Sequence, residues 1–292
     1  MRRLILLGIP VLLGILACGA QPAVVAPATG RLPVSPTTPE PPPTAGAQAW
    51  ASFPVDRKPR PILLLSRQPS MEGFTTDAAK LAALNGNLEL AAELPAAPPT
   101  VVAQLPDGPA EFPTLPAERA LADLRKELLS SQKPNPTDAL PITRVELGSA
   151  AFPTDRGLIA LPAWLFHPVD ALGPIGWPAL PPEAFWPQTA PRSLAPAAKL
   201  VDDTTLTVHL PAPPPACPGQ PIYRRAAAPA ESATTVMINV RTIPVSTAPG
   251  AAQPTCAHDL AMRFEPHRVT LAAPLGARVL LDDRGAPIAV TP

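Results

Sequence analysis

The chain has 292 residues, 47 of them proline, and its 23 basic and 23 acidic side chains cancel to a formal net charge of zero. No lysine or arginine run is longer than a pair, so no excess field draws in nucleic acid or an anionic membrane surface, which argues against both as electrostatic partners. Arginine outnumbers lysine eighteen to five and alanine is abundant, the bias of GC-rich codons, so the informative part of the composition is where the prolines cluster.

The N-terminus reads Met1-Arg2-Arg3, then an apolar run from Leu4 to Leu16, then Ala17-Cys18-Gly19. Basic residues, a short apolar segment and a small residue before the cut make an export signal. Ile15-Leu16-Ala17-Cys18 looks like a bacterial lipobox, in which the Cys18 thiol takes a diacylglyceryl group and cleavage falls just before it. Two other readings compete. A membrane-spanning anchor needs about 20 apolar residues, whereas Leu4 to Ala17 is shorter and is broken by Gly8, Pro10 and Gly14. An ordinary secretory signal would leave Cys18 accidental, and the chain has only three cysteines. The expected organisation is therefore a lipoprotein signal over 1–17, with membrane lipid as the partner of Cys18. The mature chain of about 275 residues is long enough for one large domain or two small ones.

From Gly19 to about Arg60 prolines alternate with Thr, Ala, Ser and Gly. Such a stretch buries too little apolar surface to fold, and 18–60 is predicted to be a disordered, semi-extended tether. Order is expected to begin at Pro61-Ile62-Leu63-Leu64-Leu65-Ser66, a short buried strand. Asn85-Gly86, between Leu81, Leu84 and the alternating Leu88 and Leu90, predicts a hairpin; a helix from Asp77 to Gly86 is the alternative. The proline-rich residues 95–113 are predicted to be loop. The clearest helix is 116–130, with Pro116 in its first turn and Leu121, Leu124 and Leu128 on one face. A β-hairpin is predicted over 142–167, turning at Pro153-Thr154-Asp155-Arg156-Gly157, with a further strand in Gly173 to Leu180.

Phe152, Trp164, Phe166, Trp177, Phe185 and Trp186 fall in this region. Trp164 and Phe166 are expected in the core. Trp177, Phe185 and Trp186, in a stretch broken by Pro178, Pro181, Pro182 and Pro187, are the candidate contact surface for a glycan, peptide or small ligand. Beyond them the chain reads as β structure. Leu206, Val208 and Leu210 alternate with Thr205, Thr207 and His209, and Val236, Ile238 and Val240 alternate with Met237, Asn239 and Arg241. Val269 with Leu271, Val279 to Leu281 and Ile288 to Val290 complete a sheet or sandwich, and Asp282-Asp283-Arg284-Gly285 marks a turn. The fold class is thus α+β, β-dominated, with an α+β domain over 61–195 and a β-rich domain over 196–292.

Cys217 and Cys256 form an isolated pair. In an exported chain that is most simply a disulfide, and the loop it closes is worth about 4 kcal/mol in the chain-entropy model. A metal site built from Cys256-Ala257-His258-Asp259 with His209 or His267 is the rival, without the close cysteine pairs that such sites use.

The helix ending near Ser130 is followed by Leu140-Pro141-Ile142-Thr143-Arg144-Val145-Glu146-Leu147, Phe152 to Gly157 and Leu161-Pro162-Ala163-Trp164-Leu165-Phe166. Two spaced cysteines, Val269-Thr270-Leu271 and Pro274-Leu275-Gly276-Ala277-Arg278-Val279-Leu280 come after. Over about 116–292 this order resembles uncharacterised exported proteins and lipoproteins of GC-rich, actinobacteria-like bacteria. The resemblance implies an exported, disulfide-bearing, β-rich protein and brings no activity with it.

There is no Gly-x-Ser-x-Gly elbow, phosphate-binding glycine loop or His-Glu-x-x-His in the sequence. Asp202-Asp203 near His209 reads as a turn before a strand, and His167 as a structural residue at a strand end. These residues predict a lipid-anchored, extracytoplasmic, non-catalytic binding or envelope-associated module with no cofactor or metal. Its unknown partner would be an envelope protein, glycan or small ligand. The alternatives are an extracytoplasmic hydrolase using Asp202, His209 or His258, and a ligand-capturing lipoprotein with an apolar pocket at Trp177 and Trp186.

Overall fold

The computed structural model describes residues 45–130, 138–187, 193, 195–251 and 261–292. The expected signal, Cys18 and most of the tether lie outside the described residues, as do Cys256 and His258. Residues 43–292 form one compact unit that is β-dominated, with 45% strand and 12% helix.

In chain order, the short turn of helix α1 (Ala45–Gln48) is followed by α2 (Asp77–Leu84), β1 (Leu88–Leu90), β2 (Thr100–Leu105), β3 (Gly108–Pro113) and α3 (Ala117–Ser130). Next come β4 (Leu140–Thr154), β5 (Gly157–Pro168), β6 (Ile175–Pro178), β7 (Ala198–Asp202) and β8 (Thr205–Pro211). The chain continues through β9 (Pro221–Glu231), β10 (Thr235–Thr247), β11 (Phe264–Thr270), β12 (Val279–Leu281) and β13 (Val290–Thr291). The first sheet has the order β1-β4-β5-β6, with the long β4–β5 hairpin at its centre. Leu158 to Phe166, expected to be buried on both faces, is so only from Leu161 onward; Leu158 is 75% exposed and Ala160 is exposed near the hairpin turn. Trp164 and Phe166 face α2 and α3 in one core. Leu161 and Ala163 face the β2–β3 hairpin in another. Trp164 is fully buried and donates its indole N–H to the Leu115 carbonyl at 2.6 Å. This satisfies the one polar atom of a side chain that must otherwise sit in hydrocarbon.

Residues 61–66, expected to be a short strand, are buried in part but make only isolated bridges, Ile62 to Phe185 and Leu64 to Thr154, and two further regions depart from the sequence expectation. The helical alternative is the one formed at Asp77, with Thr76 accepting the Ala79 N–H as N-cap. Gly86 (φ +66°) donates to Ala83 O and Asn87 donates to Ala82 O, the Schellman pattern. A type I′ turn needs positive φ at both central residues; Asn85 is at φ −84°, so the expected Asn85-Gly86 hairpin is a helix cap. Residues 95–113, expected to be loop, hold the β2–β3 hairpin. Val101, Ala103 and Leu105 are buried in alternation, and Asp107-Gly108 turns the chain with Gly108 at φ +115°.

The last hundred residues form two facing sheets, β11-β8-β7-β13 and β12-β10-β9. Leu206, Val208 and Leu210 of one meet Val236 and Ile238 of the other. The strands expected from alternation are all present. Among the described residues β9 and β7 were not anticipated: β9 reads Tyr-Arg-Arg-Ala-Ala-Ala, which has no alternation to signal it.

Residues 50–60, expected to belong to the tether, are part of the folded body, because the chain is already packed at Trp50. Trp50 and Phe53 are both 2% exposed and form a core with Leu63, Met237, Val279 and Leu281. The Trp50 indole N–H donates to Gly285 O at 3.0 Å. Gly285 is at φ +80° and lies so close to Gly46 that a Cβ on it would sit 2.6 Å from the Gly46 Cα. Two large aromatic rings outweigh the local proline content, since each buries far more apolar area than the flanking residues give up.

Candidate functional site

The tip of the β4–β5 hairpin carries the most concentrated charge in the interior. Asp155 follows Thr154, whose hydroxyl donates to Gly157 O at 2.8 Å and accepts the Arg156 N–H. With Gly157 at φ +84°, this fixes the turn and drives Asp155 inward, where it is 2% exposed. Arg60 meets it with both guanidinium nitrogens, Nη1 to Oδ1 at 3.2 Å and Nη2 to Oδ2 at 2.5 Å. The Arg60 Nε donates to Ala277 O, its own N–H donates to Asp107 Oδ2, and its guanidinium lies 4.6 Å from the centre of the Phe53 ring. Arg156 approaches Asp155 at 3.7 Å and donates to the carbonyls of Gly276 and Arg278. Burial pushes the Arg156 guanidinium below its ordinary value, and the neighbouring Asp155 charge opposes that shift. One carboxylate therefore ties together the N-terminal segment, the hairpin tip and the 276–278 loop. Its backbone adds hydrogen bonds to Leu63 and Val290.

Beside this node is a cavity of about 320 Å³, at the lower end of the range for small-molecule sites. Its apolar walls include Val55, Ile62, Leu105 and Ile159, and its polar lining includes Arg57, Lys58, Arg60, Asp107, Asp155 and Arg156. It is not visible in the sequence, because its residues come from four segments that lie between Val55 and Ala277. The only local signals were the turn at 153–157 and the basic pair Arg57-Lys58 inside an expected tether.

The candidate aromatic surface is not brought together as a single row. Trp177, Phe185 and Trp186 are each half-buried, and each packs against a different core: Trp177 with the helical layer, Phe185 with the β2–β3 layer and Trp186 with Trp50 and Phe53. Trp186 stands edge-on to Phe53, with ring centres 5.1 Å apart. Trp164 and Phe166 are fully buried, as expected. Cys217 is buried.

Asp202 is committed to its own turn. Its Oδ1 accepts from the Thr204 N–H at 3.0 Å and from the Thr204 hydroxyl, and the Thr204 N–H bond leads the interactions that hold its carboxyl below the usual range. His209 lies opposite Pro266 on the β8–β11 pair, with its Nδ1 buried and without a hydrogen-bond partner. His167 is held at both nitrogens, Nδ1 by Arg144 at 3.0 Å and Nε2 by Glu146 at 2.9 Å. Arginine has only donors, so Nδ1 accepts and Nε2–H donates. Among the described residues no group of three His, Cys, Asp or Glu side chains could hold a metal ion, and no helix is long and apolar enough to cross a membrane.

The chain matches no family model, no curated protein and no solved structure.

Proposed function

We propose that this chain is a lipid-anchored extracytoplasmic protein whose β-rich body serves as a non-catalytic binding or envelope-associated module. The observation that carries the reading is Ile15-Leu16-Ala17-Cys18 behind a short apolar run and two arginines. Two acyl chains give stable anchoring where one is marginal. Packing of the body from Trp50 onward supports it, because some thirty proline-rich residues then separate the lipid from the folded part. A semi-rigid stretch of that composition holds a body on the order of 100 Å from the surface.

A Cys217–Cys256 disulfide belongs to the same proposal. Burial of Cys217 in the turn that precedes β9 supports it, since a buried sulfur is shielded from reductant. Intact mass of membrane-extracted protein, before and after reduction and alkylation, tests both parts. The expected result is a chain starting at Cys18, heavier by its acyl groups, with two cysteines alkylated only after reduction. An unmodified chain cut elsewhere would refute the anchor, and alkylation without reduction would refute the disulfide.

A further inference from the structure

The cavity beside Asp155 has a charge balance that its own hydrogen bonds do not close. The carboxylates in its lining are Asp107 and Asp155. Asp155 is met on both oxygens by Arg60 and flanked by Arg156, and Asp107 accepts the Arg60 N–H. Arg57 and Lys58 line the same cavity, are exposed, and have no side-chain hydrogen bond or ion pair among the described residues. Two guanidiniums thus answer the fixed carboxylates, and two further cations remain at the exposed side of a pocket with apolar walls. A site of this kind recognises an anion through its rim and an apolar body through its walls.

We propose that this cavity binds a small amphiphilic anion, a carboxylate or phosphate carried on a short apolar chain, with its headgroup at Arg57 and Lys58 and its apolar part against Leu105 and Ile159. The inference deepens the binding-module reading and rests on it. Buried Arg60, Arg156 and Asp155 give the site a stiff frame, so binding requires little reordering of side chains. The attraction to the rim is screened by salt, because both cations are exposed.

The test is calorimetric titration of the full chain in nanodiscs, with empty nanodiscs as the blank. The probes are hexanoate, hexyl phosphate, neutral hexyl glucoside and inorganic phosphate. One or both amphiphilic anions should bind at one site per chain, more weakly as salt rises, with hexyl glucoside and inorganic phosphate at least about tenfold weaker. The R57E/K58E variant alters only exposed side chains and should keep its urea midpoint while losing about tenfold or more in affinity. Ile159→Trp, which fills the apolar end, should lose binding with the rim intact. Equal binding of hexyl glucoside, equal binding of inorganic phosphate, an unchanged affinity in R57E/K58E, or no binding of either anion would each overturn the proposal. None of these results bears on the anchor, which the mass measurement decides separately.

Discussion

Replacing Asp155 by Asn removes one charge and almost no volume, so it isolates the electrostatic role of the hairpin tip. The backbone bonds from Asp155 N–H to Leu63 O and from Val290 N–H to Asp155 O survive the substitution. Two guanidiniums then lose their counter-charge. Arg60 has a side chain only 11% exposed, and burial already lowers the Arg156 guanidinium from its ordinary value. Removing one partner of a buried pair costs about 3–5 kcal/mol, because the other charge stays desolvated. That is a large share of the roughly 5–15 kcal/mol that stabilises a folded domain.

A double-mutant cycle separates this from loss of packing. Asp155→Asn, Arg60→Met and the double variant are compared with the unsubstituted chain by equilibrium urea unfolding. Arg60→Met alone strands the carboxylate with only Arg156 at 3.7 Å. The double variant removes both members of the pair, so it should be less destabilised than the sum of the singles by about 1–3 kcal/mol. An Asp155→Asn effect below about 1 kcal/mol, or strict additivity in the cycle, would refute the reasoning that a buried ion pair holds this seam.

Two further predictions concern the sandwich and the N-terminal segment. Burial alone would raise the Glu231 carboxyl, but hydrogen bonds from the Ala272 N–H at 2.6 Å and Arg278 at 2.8 Å outweigh it and hold the group below the usual range. A depressed folded value contributes stability that is present above the unfolded pKa and lost as pH falls through the folded one. Thermal midpoints from about pH 7 down to about pH 3 should therefore fall less steeply for Glu231→Gln than for the unsubstituted chain, and parallel curves would contradict this. Trp50→Ala should cost about 3–5 kcal/mol and open 45–60 to proteolysis before global unfolding, measured by urea denaturation and timed digestion. An unchanged midpoint would show that this segment is not part of the core.

Legibility in the sequence followed the range of the interactions involved. The amphipathic helix, the long hairpin and the alternating strands of the second half were readable because their signal is local, period 3.6 or period 2. Asn85-Gly86 was ambiguous for a physical reason: a glycine that tolerates positive φ serves a helix cap as well as a hairpin, and only the φ of Asn85 decides. Proline density concealed β2 and β3, where Pro109 and Pro113 sit on a two-stranded ribbon that tolerates missing donors, and Asp107-Gly108 was the overlooked turn signal. Trp50 and Phe53 lie in a stretch whose proline-rich composition masks two large apolar side chains that require burial. The cavity was not legible at all, since no window contains Lys58, Leu105, Arg156 and Ala277 together.

The seam and the candidate ligand site share Asp155, and this decides how either can be tested. A variant at Arg60, Asp155 or Arg156 disturbs the buried node that holds the N-terminal segment to the hairpin tip, so a loss of binding there would report on stability as much as on recognition. Arg57 and Lys58 lie two or three residues from Arg60 on the same segment, yet contribute nothing to the node. The same short stretch thus separates a buried charge that fixes the architecture from exposed charges free to meet a ligand.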